Sequence, residues 1–407
     1  MTLAVAVLGA LDTKAEEYGY LIELLRGHGV DVLLLDTGVL GSSRGPRPDI
    51  GAGEIAAAAG TTLEQLRERG DRASGLAAMA AGAAVLLRRL HEAGRIRGAM
   101  ALGGTGGTSV AAEAFRVLPL GVPKIIVSTA ASGNTAAYVG ETDLVLMPSV
   151  TDVAGLNRLL RRVIGNAAAA MAGMLAASPD DRPASERSIG ASMFGLTTPC
   201  VDEARRSFDA IGWETVVFHM TGSGGRALEQ LIRDGWLDGV LDVTTTELAD
   251  ELVGGVFDAG PGRLTGAAAA GLPQVVSVGA LDMVNFGARD TVPARFADRR
   301  LHVHNASVTL MRTSPEECAE LGRRLATRVS ATSGPATVFL PLRGISGIAT
   351  LDEPFWDPEA DRALFDAVRA HLDRSRVDLV ELDTDINDPD FATAMAERLM
   401  TYLGDPR

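Results

Sequence analysis

The sequence predicts an α/β protein built from two doubly wound parallel-sheet domains, residues 1–180 and 181–407, facing one another across a cleft. Three observations predict it. Buried β-type runs alternate with helical patterns along all 407 residues, the signature of parallel strands joined by crossover helices. A chain of this length exceeds what one hydrophobic core usually serves. A polar, proline-punctuated stretch, Ser178-Pro179-Asp180-Asp181-Arg182-Pro183, stands between two such series as the linker.

In order, Leu3 to Leu8 is the first strand, Gly9 to Lys14 a turn, and a helix follows to about Arg26. Val30 to Leu35 is the next strand, ending at Asp36, and a Gly/Pro/Ser-rich loop spans Thr37 to Gly53. A long Ala-rich helix lies between about Asp71 and Ala93, followed by a strand from Ile96 to Leu102. Lys124 to Val127 and Leu144 to Met147 complete the first sheet, and a helix from about Asp152 carries the chain away. The second series has strands at Ile189 to Phe194 and Thr215 to Phe218, then near Val240, Val275, Val338 and Leu379. Its helices include Thr198 to Ile211 and a last one from about Asp390 to Tyr402. The halves echo each other: Gly9-Ala10-Leu11-Asp12-Thr13 resembles Gly195-Leu196-Thr197-Thr198, and Gly121-Val122-Pro123 resembles Gly271-Leu272-Pro273.

Composition narrows the function classes. Hydrophobic residues are 46%, aromatics 4%, and glycines number 46, which suits close helix packing on parallel sheets. The net charge of −14 excludes a general nucleic-acid surface, so any anion must be held locally. Cys200 and Cys318 form no metal-type spacing and are expected as reduced thiols. The N-terminus lacks a basic leader, and no apolar run reaches the roughly 18 to 20 residues of a membrane span. A cytoplasmic, soluble protein is expected. Only Lys14 and Lys124 among 38 basic residues are lysines, which suggests that an ammonium is needed where it survives.

The main chemical signal is Gly103-Gly104-Thr105-Gly106-Gly107-Thr108 at a strand-to-helix junction. Closely spaced glycines let N–H groups wrap an anion at a helix N-terminus, with Thr105, Thr108 and Ser109 adding hydroxyls. A tight turn needing positive φ would require only one or two of them. No lysine follows, so this is not a Walker loop. Ser128, Thr129, Ser132 and Gly133 form a further polar wall at the next strand end. Asp12, Thr13 and Lys14 occupy the first turn, where Lys14 can meet phosphate, Asp36 ribose hydroxyls, and Asp12 a magnesium ion through water. A helix-capping role for Asp12 or Thr13 is equally consistent.

In the second half, Thr221-Gly222-Ser223-Gly224-Gly225-Arg226-Ala227 contains a G-x-G-x-x-A pattern, with Asp242 downstream. It follows the second strand of its half rather than the first, which favours an anion loop over a nicotinamide dinucleotide. Thr244-Thr245-Thr246-Glu247 and Asp282 fall at other strand ends. His219 and His304 are candidate acid/base groups. His302 and His304 lack a third ligand, so no metal site is expected. No nucleophile elbow appears.

At these residues, and at Gly279 to Gly287, His304-Asn305 and Thr309 to Thr313, the chain resembles uncharacterised protein family 0261. That family is similar to the N-terminal ATP-binding region of the tomato mosaic virus resistance protein. The resemblance covers essentially the whole chain. It implies two Rossmann-like subdomains, ATP binding in the first, and self-association into a homo-oligomer, but no established reaction. The expectation is therefore an ATP-binding protein: Lys14 and the Gly103 loop on phosphates, Asp36 on ribose, and the Gly222, Thr245 and Asp282 loops closing from the second domain. For hydrolysis or transfer, Asp12 or Asp282 would aid a magnesium ion and His219 would serve as acid or base. The alternatives are a transferase or epimerase acting on a nucleotide-sugar or phosphosugar, and a non-catalytic nucleotide-gated interaction module.

Overall fold

The computed structural model describes residues 3–41, 45–177 and 187–404. The expected linker, Ser178 to Pro183, lies outside the described residues. The chain divides into two compact units, Met1–Asp181 and Arg182–Arg407.

Unit 1 contains β1 (Ala4–Gly9), α1 (Ala15–Gly27), β2 (Val32–Asp36), α2 (Ala52–Ala58), α3 (Leu63–Arg69) and α4 (Arg72–Glu92). β3 (Ile96–Gly103), α5 (Thr105–Phe115), β4 (Lys124–Ser128), α6 (Ala136–Val139), β5 (Val145–Pro148) and α7 (Arg158–Ala176) complete it. All five strands are parallel, in the order β2-β1-β3-β4-β5. Period-two side-chain alternation divides the core: Val5 and Val7 face α1 and α7, while Ala6 and Leu8 face α2, α4 and α5. Small residues bring the layers close. A Cβ on Gly82 of α4 would lie 2.0 Å from the Ile55 carbonyl oxygen of α2.

Three local expectations change. After the glycine-rich loop come α2 and α3, in a stretch before Asp71 to which the sequence pattern assigned no helix. The last helix starts at Arg158, because Asn157 accepts a hydrogen bond from the Leu160 N–H and caps it there. By length and composition, α4 is long and apolar enough to cross a membrane. Here it packs Met79, Ala80, Ala83 and Leu87 into the core.

Unit 2 runs β6 (Ser188–Met193), α8 (Thr198–Asp209), β7 (Glu214–His219), α9 (Ser223–Arg233), β8 (Gly239–Thr244), α10 (Glu247–Val253), α11 (Gly266–Ala270) and β9 (Gln274–Gly279). There follow β10 (Met283–Phe286), β11 (Leu301–Asn305), β12 (Val308–Arg312), α12 (Pro315–Ser330), β13 (Ala336–Pro341), α13 (Pro358–His371), β14 (Val377–Leu382) and α14 (Pro389–Leu403). Its parallel sheet has the order β14-β13-β9-β8-β6-β7, so β7-β6-β8-β9-β13 repeats the path of β2-β1-β3-β4-β5. The antiparallel sheet β10-β12-β11, inserted after β9, is a feature the sequence pattern did not predict.

In each unit the strand order reverses between two neighbours, β1/β3 and β6/β8, and their pairing stops short of the strand ends, at Leu8/Ala101 and Ala191/Leu241. Side-chain hydroxyls take over there. The Leu102 N–H donates to the Tyr18 hydroxyl (2.9 Å), which lies 2.8 Å from the Leu8 carbonyl oxygen and 2.6 Å from that of Leu102. In unit 2 the Thr244 N–H donates to Ser192 Oγ, and Thr244 Oγ1 donates back to the Ser192 carbonyl.

The Tyr18 ring occupies the space beside Gly9, where a Cβ would lie 1.9 Å from Tyr18 Cζ. Gly9→Ala therefore overpacks the junction and should destabilise unit 1 by about 1–3 kcal/mol. Tyr18→Phe strands the Leu102 N–H and should cost about 1–3 kcal/mol. Trp213, Trp236 and Trp356 all lie in unit 2. Urea unfolding followed by circular dichroism should thus show an earlier transition in both variants, while the tryptophan-detected transition keeps its midpoint.

Candidate functional site

A doubly wound sheet leaves a crevice where its strand order reverses, because the loops leaving the two strands turn to opposite faces. In unit 1 the loops after β1 and β3 flank that point. Gly103 ends β3, and Gly104 caps α5 with φ −79° and no side-chain hydrogen bond. The first helical N–H groups, of Thr105, Gly106 and Gly107, have no intrahelical acceptor; the Thr108 N–H is the first to find one, the Gly104 carbonyl. None of the four glycines has positive φ. Gly103 is favoured by packing, since a Cβ would sit 3.2 Å from Gly107 Cα. At Gly104 and Gly107 the nearest atoms to a Cβ would be 3.7 Å away, so the turn itself does not demand them.

Arg72, in the first turn of α4, brings an exposed cation to this place: its Nη2 lies 3.5 Å from where a Gly106 Cβ would stand. Among the described residues no carboxylate pairs with it. A guanidinium beside the positive end of a helix is unfavourable unless an anion joins them. The sequence pattern missed Arg72 because it lies on a helix, far from any glycine motif.

The other predicted residues of this edge divide clearly. Asp12 Oδ2 accepts from the Leu40 and Gly41 N–H groups at 3.0 and 3.2 Å, folding the loop after β2 onto the first turn. Thr13 is exposed, its hydroxyl donating to the Ala10 carbonyl. Asp36 Oδ1 accepts from the Leu11 and Gly38 N–H groups, leaving Oδ2 without a donor among the described residues. Burial pushes the Asp36 carboxyl up, against those two donors. Lys14 does not follow the phosphate expectation: its Nζ donates to the Val153 carbonyl in the loop after β5. Thr108 and Ser128 are buried and bonded to each other at 2.6 Å, and Ser128 also accepts from the Ala130 N–H, so they fasten α5 to β4. Thr129 is half-buried, while Thr105, Ser132 and Gly133 are exposed. Gly9 serves the Tyr18 ring.

Unit 2 corrects the reading of its glycine loop. The Gly222 and Gly225 N–H groups do hold an anion, but it is the chain's own Glu247 Oε1, at 2.7 and 3.1 Å. Gly222 has φ +84°, and a Cβ on Gly225 or Gly224 would lie 1.9 Å from Glu247 Oε2 or the His219 carbonyl oxygen. Thr221 only turns its hydroxyl towards the His219 carbonyl.

Arg263 completes the filling, with Nε on Glu247 (2.7 Å) and both terminal nitrogens on Asp242 (2.6 Å each). Asp242 is therefore consumed in mid-strand and offers nothing to a ribose. Glu229 accepts from the Leu264 and Gly266 N–H groups close by. Thr245, expected on a ligand, is buried and donates to the Ser277 carbonyl. Asp282, expected at an open strand end, is fully buried; Oδ2 accepts from Ser346 and burial pushes its carboxyl up. His219 is exposed at the end of β7 with its ring against Phe194, centroids 5.5 Å apart. His304 is exposed and His302 packs on Phe355. Among the described residues no three His, Cys, Asp or Glu side chains gather as metal ligands.

Two further carboxyls of unit 2 give a pH signature. Burial pushes both Asp250 and Asp361 up to about 7, against the Asn285 donors in one case and Arg312 in the other. A carboxyl raised on folding stabilises fully below its unfolded pKa, near 4, and that contribution is lost as pH rises through about 7. The unfolding free energy from tryptophan-detected urea curves should therefore fall between pH 5 and pH 8, by on the order of a few kcal/mol, and the midpoint with it. An unchanged or rising midpoint would contradict it.

Comparison with known proteins places this architecture. The N-terminal domain of the uncharacterised protein family UPF0261 matches residues 3–180 and its C-terminal domain residues 186–403. A UPF0261 protein of Clostridium tetani is 43% identical over 403 residues, 99% of this chain and 100% of that protein. A UPF0261 protein of Mesorhizobium japonicum is 44% identical over 395 residues, 96% of this chain and 97% of its own length. The ToMV resistance protein Tm-1 of Solanum lycopersicum is 41% identical over 335 residues, 81% of this chain but 44% of the plant protein. Matched in both of its parts, the chain belongs to the uncharacterised protein family UPF0261.

Proposed function

We propose that unit 1 binds ATP at the reversal point between β1 and β3. The phosphates lie on the free N–H groups of Thr105, Gly106 and Gly107, with Arg72 beside them, and Asp36 Oδ2 accepts a ribose hydroxyl. The observation that carries this reading is the α5 N-terminus: it has no side-chain cap, it contains glycines the turn does not demand, and it sits beside an unpaired guanidinium. Uncapped helix N–H groups and a cation together suit a polyphosphate better than a neutral ligand. The choice of ATP comes from the resemblance to the ATP-binding region noted above. Lys14, committed to Val153, supports the loop after β5 in this reading and leaves the phosphates to Arg72.

Phosphoryl chemistry at such a site would rest on positioning and charge neutralisation. Asp12, on the neighbouring loop, keeps Oδ1 for a magnesium ion held through water.

Isothermal titration of the full chain with ATP and magnesium tests the assignment. Gly104→Val, whose Cβ would lie 3.7 Å from its nearest neighbour and whose branched side chain crowds the N–H groups, should weaken ATP at least tenfold, about 1.4 kcal/mol. Arg72→Ala should lose a similar amount, and Lys14→Ala clearly less. Affinity unchanged in both Gly104→Val and Arg72→Ala would sink the site. Tighter binding of a uridine diphosphate sugar than of ATP would reassign its ligand to the nucleotide-sugar class.

A further inference from the structure

On the opposite face of the unit 1 sheet, α1 and α7 bound an open cleft of about 830 Å³, lined by Tyr20, Arg158, Arg161, Arg162, Gly165 and Asn166 among others. Its arginines are arranged against their own interest. Arg158 stands one helical turn from both Arg161 and Arg162, a spacing at which like charges repel. They crowd the start of a helix that has no acidic residue in its first turn, so the helix dipole adds to the repulsion. Among the described residues no carboxylate pairs with any of the three, in a chain carrying 52 acidic residues against 38 basic ones. Arg161 is held instead with its guanidinium 4.8 Å over the Tyr20 ring, which fixes the plane of its donors.

Gly165 is an independent sign. It lies inside α7, where glycine weakens a helix, on the same face as Arg161 and Arg162. Nothing stands within 4 Å of the position its Cβ would take. At Gly82 the helix gives up a side chain to let another helix approach; at Gly165 no part of the described chain uses the space. It is open floor beneath three cations.

We infer that this cleft is a second anion site, for a phosphate-bearing ligand with at least two negative charges, separate from the site at α5. Guanidinium forks match phosphate oxygens in pairs, and three of them around one floor suit a diphosphate group. The group reaches the arginine donors over Gly165, and its charge removes the repulsion among them. A soluble phosphorylated compound and a lipid headgroup share this chemistry.

Inorganic pyrophosphate is the probe, titrated calorimetrically into the Gly104→Val chain so that binding at the α5 site is weakened and the arginine-dependent part stands out. Saturable binding is expected, weakening as salt rises and falling at least tenfold in an added Arg161→Ala/Arg162→Ala pair. Gly165→Ala should raise the Tm while weakening pyrophosphate at least threefold, a combination that simple loss of structure cannot give. Co-sedimentation with phosphatidylcholine vesicles, with and without phosphatidylglycerol, identifies the source. Arginine-dependent binding to the anionic vesicles, competed by pyrophosphate, assigns a headgroup; pyrophosphate binding without vesicle binding assigns a soluble ligand. Absence of both, or pyrophosphate binding indifferent to the arginine pair, overturns the inference.

Discussion

The hydroxyl of Tyr18 bridges β1 and β3 where their own backbone pairing stops. A parallel sheet whose order reverses must send consecutive crossovers to opposite faces, so the strands at the reversal separate before they end. The polar groups exposed there need partners as strictly as any in the core. Tyr18 reaches in from α1 to supply one, Gly9 makes way for its ring, and the loops beyond are left open. The accessible N-terminus of α5 is a consequence of that arrangement, since the junction is closed from below, by a side chain rooted in the helix layer.

Unit 2 meets the same requirement in a different way. Short hydroxyls, Ser192 and Thr244, bridge β6 and β8, and Thr197 Oγ1 lies 2.7 Å from Thr244 Oγ1. Above them stand Glu247, Asp242 and Arg263, all buried. Three carboxylates, counting Glu229, share one guanidinium there. This is tolerable because the N–H groups of Gly222, Gly225, Leu264 and Gly266 carry the rest of the negative charge. The reversal point of unit 2 is thus filled by the chain's own charged side chains, whereas among the described residues no ion pair fills the corresponding point of unit 1. Two glycine-rich loops that look alike in sequence differ in what faces them, a carboxylate at Gly222 and Gly225 and an exposed arginine at Gly106.

The architecture was legible because buried β-type runs alternate with helical patterns through most of the chain, and because the halves repeat. Gly121-Val122-Pro123 and Gly271-Leu272-Pro273 precede β4 and β9, which hold equivalent places in the two strand orders. The antiparallel insertion was not read from the sequence: its strands are short, and β10 pairs with β12 across the intervening β11, although β11 and β12 themselves are joined by the two-residue turn Ala306-Ser307. The site was legible only in part. Glycine spacing locates a bare backbone but cannot say what fills it. Glu247 filling the Gly222 loop, and Arg72 approaching Gly106, are contacts between elements separated along the chain. What distinguishes the two loops is conformation: positive φ and hard contacts at Gly222 to Gly225, neither at Gly104.

The two lysines show the same limit from another side. In a chain that otherwise uses arginine, both ammonium groups bond main-chain carbonyls here. Lys124, fully buried, gives its Nζ to the carbonyl oxygens of Pro119 and Val122 and to Asp143. Lys14 gives its own to the Val153 carbonyl, drawing the loop after β5 onto α1, where the Gly155 N–H meets Glu17. A cluster of carbonyl oxygens converging on one point suits three donors radiating from a single nitrogen, and a planar guanidinium would spread its donors too widely to replace it. The rare residue therefore marks where main chain must be gathered around a charge.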